Sequence, residues 1–132
     1  MLNDFQCPSC KGQLRVGEQV IFMTKSKKWQ GGLILLHPEP GNYIVENHPS
    51  FKLEEGEHVD FYCPICHSKL TSEKHKNLAM VIMKDESGKK FEVFFSKIAG
   101  EECTYQVIGD STEIYGKHAK TYLDFFNLSQ TT

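Results

Sequence analysis

No stretch of this 132-residue chain approaches the apolar length of a membrane span, and Met1 to Phe5 shows neither the basic region nor the apolar run of a secretion signal. A cytoplasmic protein with no membrane partner is expected. Positive charge is not in surplus: the formal net charge is −2, which excludes the strongly basic character of a dedicated nucleic-acid binder. There is no glycine-rich phosphate loop, no HExxH or HxxxH spacing and no Ser/His/Asp order. The common catalytic constellations are therefore missing, and a non-enzymatic role is expected. Low-complexity tracts are absent as well. The hydrophobic fraction is 39%, enough for a core but not a generous one, and a chain of this size gains from a covalent or metal staple.

Such a staple is written into the chain as one short phrase used twice. Phe5-Gln6-Cys7-Pro8-Ser9-Cys10 and Phe61-Tyr62-Cys63-Pro64-Ile65-Cys66 both continue to a leucine, Leu14 and Leu70, so each copy reads FxCPxCxxxL. A CxxC turn points two sulfurs to one side, and two such turns face to face complete a tetrahedral four-cysteine site of the kind zinc prefers. Four of the five cysteines are thereby used. Paired CxxC spacing in a reducing compartment argues for metal rather than disulfides. The proline fixes its own φ and lets the next backbone amides point at the sulfurs. The phenylalanine two positions earlier shares a strand face with the first cysteine, where it can shield the site, and the leucine can cover the other side. Closing roughly 56 residues this way is worth about 4 kcal/mol by the chain-entropy relation used for disulfides.

The two knuckles resemble those of zinc-ribbon and rubredoxin-like proteins. The resemblance covers about 20 residues and implies Cys7, Cys10, Cys63 and Cys66 as metal ligands, with one Zn2+ per chain or, as in rubredoxin-like electron carriers, Fe. Those families commonly place glycine directly after the second cysteine, whereas Lys11 and His67 stand there in this chain. The segment between the knuckles is also longer than in a minimal ribbon.

That segment carries short strand signals at Val20–Thr24, Leu33–His37, Tyr43–Glu46 and His58–Tyr62, separated by glycine- and proline-rich breaks. They read as an antiparallel meander with a knuckle at each end. After Leu70 comes a hairpin, Leu78–Lys84 and Lys90–Ser96 around Asp85-Glu86-Ser87-Gly88, with Phe91, Val93 and Phe95 on one face. A further strand is expected at Cys103–Ile108. Ala119, Tyr122, Leu123 and Phe126 fall at helical spacing and predict a short amphipathic helix over Lys117–Asn127. The expected fold class is a β-rich α+β protein. A zinc-ribbon-like double-knuckle unit, residues 1–70, precedes a β-hairpin unit with a C-terminal helix, residues 71–132, the two packed as one compact body.

Rival chemistries are weaker. Cys63-Pro64-Ile65-Cys66-His67 matches the CxxCH haem pattern, but covalent haem needs export and would leave Cys7 and Cys10 without partners. His37, His48 and His58 offer a second metal site only if the fold brings them together, and surface histidines are the commoner explanation. His75 and His118 show no ligand spacing. Cys103 follows Glu101-Glu102, whose charge opposes thiolate formation, and reads as a buried strand cysteine. Lys25, Lys27 and Lys28 beside Trp29 suit local contact with a nucleic-acid strand, although an exposed hairpin tip is the simpler reading. With a zinc tetrathiolate adding −2 to the formal −2, the total of −4 disfavours nucleic acid further. Tyr115, Tyr122, Phe125 and Phe126 suggest a C-terminal aromatic face for an unknown protein partner or a second copy. The leading expectation is a small zinc-binding, protein-interaction or regulatory module. Zinc-ribbon nucleic-acid binding is the alternative, and iron-based electron transfer the third reading.

Overall fold

The computed structural model describes residues 3–26, 31–39, 41–51, 53–109 and 111–126. Period-two burial marks several of the core-facing strands. Along β3 (Gln19–Ser26) the side chains of Val20, Phe22, Thr24 and Ser26 are buried while those between them are not, which is how a strand with one face on a core must read. The remaining strands are β1 (Asp4–Gln6), β2 (Arg15–Val16), β4 (Gly31–Leu36), β5 (Val45–Asn47), β6 (Val59–Tyr62), β7 (Leu78–Lys84), β8 (Lys90–Ser96), β9 (Thr104–Ile108) and β10 (Ser111–Tyr115).

They form two antiparallel sheets. The first runs in the order β1-β7-β8-β9-β10 and the second in the order β2-β3-β4-β5. The expected meander holds from β3 to β5, but β6 does not continue it. It returns to β3, pairing Met23 with Tyr62 and Ser26 with Val59, and so shares an edge of β3 with β2. The main core lies between the sheets. Phe5, Val81, Met83 and Val93 come from the first sheet, and Val20, Phe22, Ile34, Val59 and Phe61 from the second. Phe22, Phe61 and Phe95 meet as a trio with ring centroids 5.1–5.4 Å apart, and two of the three contacts are edge-to-face.

The predicted α+β class is not found: the described residues are all-β. In place of the C-terminal α-helix there is one 3-10 segment, Ala119–Phe126, broken at Tyr122 (φ −117°, ψ 17°), and Asn127 lies outside the described residues. The helical spacing was real but tertiary bonds override it. Tyr105 donates its hydroxyl proton to the carbonyl of Ala119, which an α-helix would need for its own ladder. His118 is pinned against Glu102 in both directions, its amide donating to the Glu102 carbonyl and its Nδ1 accepting the Glu102 amide, each at 2.9 Å. Tyr122 donates to Glu101 at 2.7 Å. The segment thus closes a second core, with Leu78, Phe94, Cys103, Tyr105, Ala119 and Tyr122, on the outer face of the first sheet.

The sheets are stitched along one side. His58 bridges to Ile98, and the Val59 amide donates to the Lys97 carbonyl at 2.8 Å. At the same place the ammonium of Lys97, only 2% exposed, sits 2.7 Å from Asp60 and donates to the Thr71 hydroxyl at 2.7 Å. Burial alone would raise the Asp60 carboxyl, but Lys97, with Lys69 and His58 farther off, outweighs it and holds the carboxyl below its ordinary value. The pair is unequal, because the Asp60 side chain remains about a quarter exposed.

Asp60→Leu therefore strands a buried cation and should cost about 3–5 kcal/mol, whereas Lys97→Met leaves a carboxylate that water and Lys69 still serve and should cost about 1–2 kcal/mol. Urea unfolding of the two variants tests the order. Because the folded-state pKa of Asp60 is depressed, its contribution is present above pH about 4 and is lost as pH falls through the folded value, so the wild type should lose stability in acid faster than Asp60→Leu.

Candidate metal centre

The repeated phrase folds twice into the same turn. Cys7 and Cys63 donate their amides to the carbonyls of Gly12 and Ser68 at 3.1 and 3.0 Å, and their own carbonyls accept the amides of Lys11 and His67, both at 2.9 Å. Leu14 and Leu70 donate to Phe5 and Phe61 at 2.7 and 2.9 Å, and the bridges Gln6–Gln13 and Tyr62–Lys69 correspond in the same way. Phe5, Phe61, Leu14 and Leu70 are all buried, so aromatic and leucine shields cover both turns as the spacing predicts.

Each turn carries the chain from one sheet to the other. The first leads from β1 to Leu14 and β2, where Leu14 accepts the amide of Ile21. The second leads from β6 back to the first sheet, where Leu70 accepts the amide of Met80 and Thr71 pairs with Ala79. The two crossings lie side by side, and their four sulfurs converge. Cys7 Sγ is 3.7 Å from Cys66 Sγ, Cys10 Sγ is 3.8 Å from Cys63 Sγ, and all four lie within 4.8 Å of one another. Metal–sulfur bonds of about 2.3 Å give a tetrahedron with edges of about 3.8 Å, so the separations fit one shared ion and are far beyond a disulfide length. Cys7 and Cys63 are buried, Cys10 and Cys66 exposed.

Backbone amides are aimed at the sulfurs. Ser9 donates to Cys7, Gly12 to Cys10 and Ile65 to Cys63, each at 3.3 Å, and Cys66 donates to Cys63 at 3.4 Å. Such donors spread the negative charge of a thiolate cluster. The second turn adds a hydroxyl where the first has Gly12: Ser68 Oγ lies 3.1 Å from Cys66 Sγ. That hydroxyl, helped by the Ser68 amide, brings the Cys66 thiol down to about 6, while burial pushes the Cys7 thiol up. Gly12 also leaves room for the other turn, since a Cβ there would stand 2.6 Å from Ile65 Cδ1.

The two departures from the family pattern acquire a physical meaning. Lys11 (φ 62°) and His67 (φ 65°) occupy the left-handed region that glycine favours, and they are the only described non-glycine residues to do so. The Lys11 ammonium partly compensates by donating to the Pro8 carbonyl at 2.8 Å.

Other candidates stand elsewhere. Among the described residues the four cysteines form the one group of three or more metal-ligating side chains. His37, His48, His75 and His118 instead use Nδ1 to accept backbone amides, from Glu39, Ser50, Asn77 and Glu102. His58 lies beside Asp60. Cys103 is buried away from the cluster, and burial first, then the Glu101 charge, pushes its thiol up to about 12. In the Lys25–Trp29 tip, Lys25 is exposed, and Lys27, Lys28 and Trp29 lie outside the described residues. Of the C-terminal aromatics, Tyr122 is buried in the second core and Tyr115 donates to Glu113. The side chains of Phe125 and Phe126 are not among those described. The inter-sheet position of the cluster was beyond sequence reasoning, although the Leu14 and Leu70 repeats marked its edges.

Left-handed backbone costs a non-glycine residue about 1–2 kcal/mol, and glycine gives back about 0.5–1 kcal/mol in unfolded-state entropy. His67→Gly should therefore raise stability by about 0.5–1 kcal/mol with metal content unchanged, measured by chemical unfolding and elemental analysis. A destabilised variant would show that the His67 ring supports the turn by contacts that outweigh its strain.

No protein-family model, curated protein or solved structure matches this chain.

Proposed function

We propose that Cys7, Cys10, Cys63 and Cys66 hold one zinc ion and that the ion is structural. The observation that carries this reading is the convergence of the four sulfurs at the two places where the chain changes sheet. An ion held there ties both crossings together, and four thiolates leave no open position for a reacting water. In that reading the protein is a non-enzymatic, cytoplasmic module that works by presenting a surface to a partner. Exposed apolar side chains at Val16 and Leu33 on the outward face of the β2–β5 sheet support a protein partner.

Exposure of Cys10 and Cys66 supports a second reading, iron in an electron carrier. Electrons enter and leave most readily through exposed sulfurs, and the donors from Gly12 and Ser68 would tune the potential. Colour separates the two, because a ferric tetrathiolate absorbs visible light and zinc does not.

Elemental analysis of the purified protein should find one zinc per chain and no visible absorption band. Cys63→Ser should lose the metal and at least about 4 kcal/mol of stability, the loop-closure value, whereas Cys103→Ala should keep full metal content. Absence of stoichiometric metal in the wild type, or its loss in Cys103→Ala, would overturn the assignment.

A further inference from the structure

The two sheets do not fill the space between them. A partly open cavity of about 360 Å3 lies there, bounded by Phe22, Ile34 and Leu36 on one side and Val81, Val93 and Phe95 on the other. This is within the usual range of small-molecule sites, about 300–1,000 Å3, and more than twice the ~150 Å3 of apolar cavities that take up benzene. Register explains the gap. Val81, Val93 and Gln106 lie in one row across β7, β8 and β9, a row of short or flexible side chains facing the second sheet.

The polar residues of the wall distinguish this cavity from a packing defect. Three buried polar residues line it, Lys97, Thr104 and Gln106. Lys97 is held by Asp60 and Thr71, and Thr104 shares a 2.9 Å hydrogen bond with Tyr43. Gln106 is different. The residue is 5% exposed, its amide nitrogen meets the sulfur of Met83 at 3.7 Å, and among the described residues its carboxamide oxygen has no hydrogen-bond donor. An amide acceptor that opens on a largely apolar cavity can be met there by a donor on an entering molecule. Charge narrows the choice further. Glu39, Glu101 and Glu102 also line the cavity, and the one ammonium there, that of Lys97, is already paired with Asp60, so an anionic ligand is opposed.

We infer that this inter-sheet cavity is a binding site for a small, uncharged, largely apolar molecule carrying one N–H or O–H group, which donates to the Gln106 carboxamide oxygen. The aromatic trio of Phe22, Phe61 and Phe95 at the wall suits a ring system. The site is separate from the cysteine cluster and does not depend on which metal occupies it.

Three naphthalene probes test it on the metal-loaded full chain, by fluorescence titration and by amide NMR shifts: β-naphthol, which donates; its methyl ether, which cannot; and β-naphthoate, which is anionic. β-Naphthol should bind one per chain, about tenfold more tightly than the ether and more tightly than the carboxylate, with shifts in β4 and β9. Gln106→Leu should abolish the preference for naphthol over ether while leaving thermal stability equal or higher, because a poorly paired buried amide is gone. Should that variant fail to fold, Gln106→Met makes the same test. Leu36→Trp, which fills the cavity from a half-buried position, should abolish binding of all three with metal content intact. Failure of every probe to bind, equal binding of naphthol and ether to the wild type, or a naphthol preference that survives loss of Gln106 would each overturn the proposal.

Discussion

The convergence of four sulfurs at one point governs the architecture. Each CxxC turn is a place where the chain leaves one sheet for the other, so bringing the turns together fixes the relative placement of the sheets as well as the two loops. Two five-stranded sheets of short strands have little area for holding one another, and several strands are only two to four residues long. A metal ion held by the four sulfurs would add a point constraint to the packing and hydrogen bonds that already join the sheets. The Asp60–Lys97–Thr71 cluster acts in the same sense from another part of the interface.

The constraint also accounts for local features that look unfavourable in isolation. Two residues in left-handed backbone are tolerated because each turn is closed by three backbone hydrogen bonds and aims further amides at the sulfurs. A thiolate cluster without those donors would repel itself, and the backbone conformation that supplies them is the one that places Lys11 and His67 at positive φ. Strain and charge stabilisation are therefore two aspects of one geometry.

Much of this was legible in the sequence because it is local. The repeated FxCPxCxxxL phrase marks the four clustered cysteines, the buried phenylalanines and the buried leucines, and the apolar run from Leu78, the Asp85–Gly88 turn and the alternation in the second arm mark the central hairpin with the bounds found. Information spread over distance was harder to read. β1, β2 and β10 are short and lack a strong alternating pattern, so their strand character comes from partners such as Met83, Val20 and Tyr105. The terminal segment carried a genuine helical period, yet Tyr105, 14 residues away in sequence, claims the Ala119 carbonyl that a helix requires, and Glu102 pins His118 beside it. The return of β6 to β3 and the placement of Gln106 in the cavity wall are also products of tertiary structure.

The pairing order has a temporal consequence. β1 adds to the edge of β7, which ends at Lys84, and half of the sulfur cluster comes from residues 63 and 66. While the chain is being synthesised, β1 and the first pair of cysteines must therefore wait for their partners until residue 84 has been made. The β3–β4 hairpin can form on its own during that interval, but the sandwich cannot close.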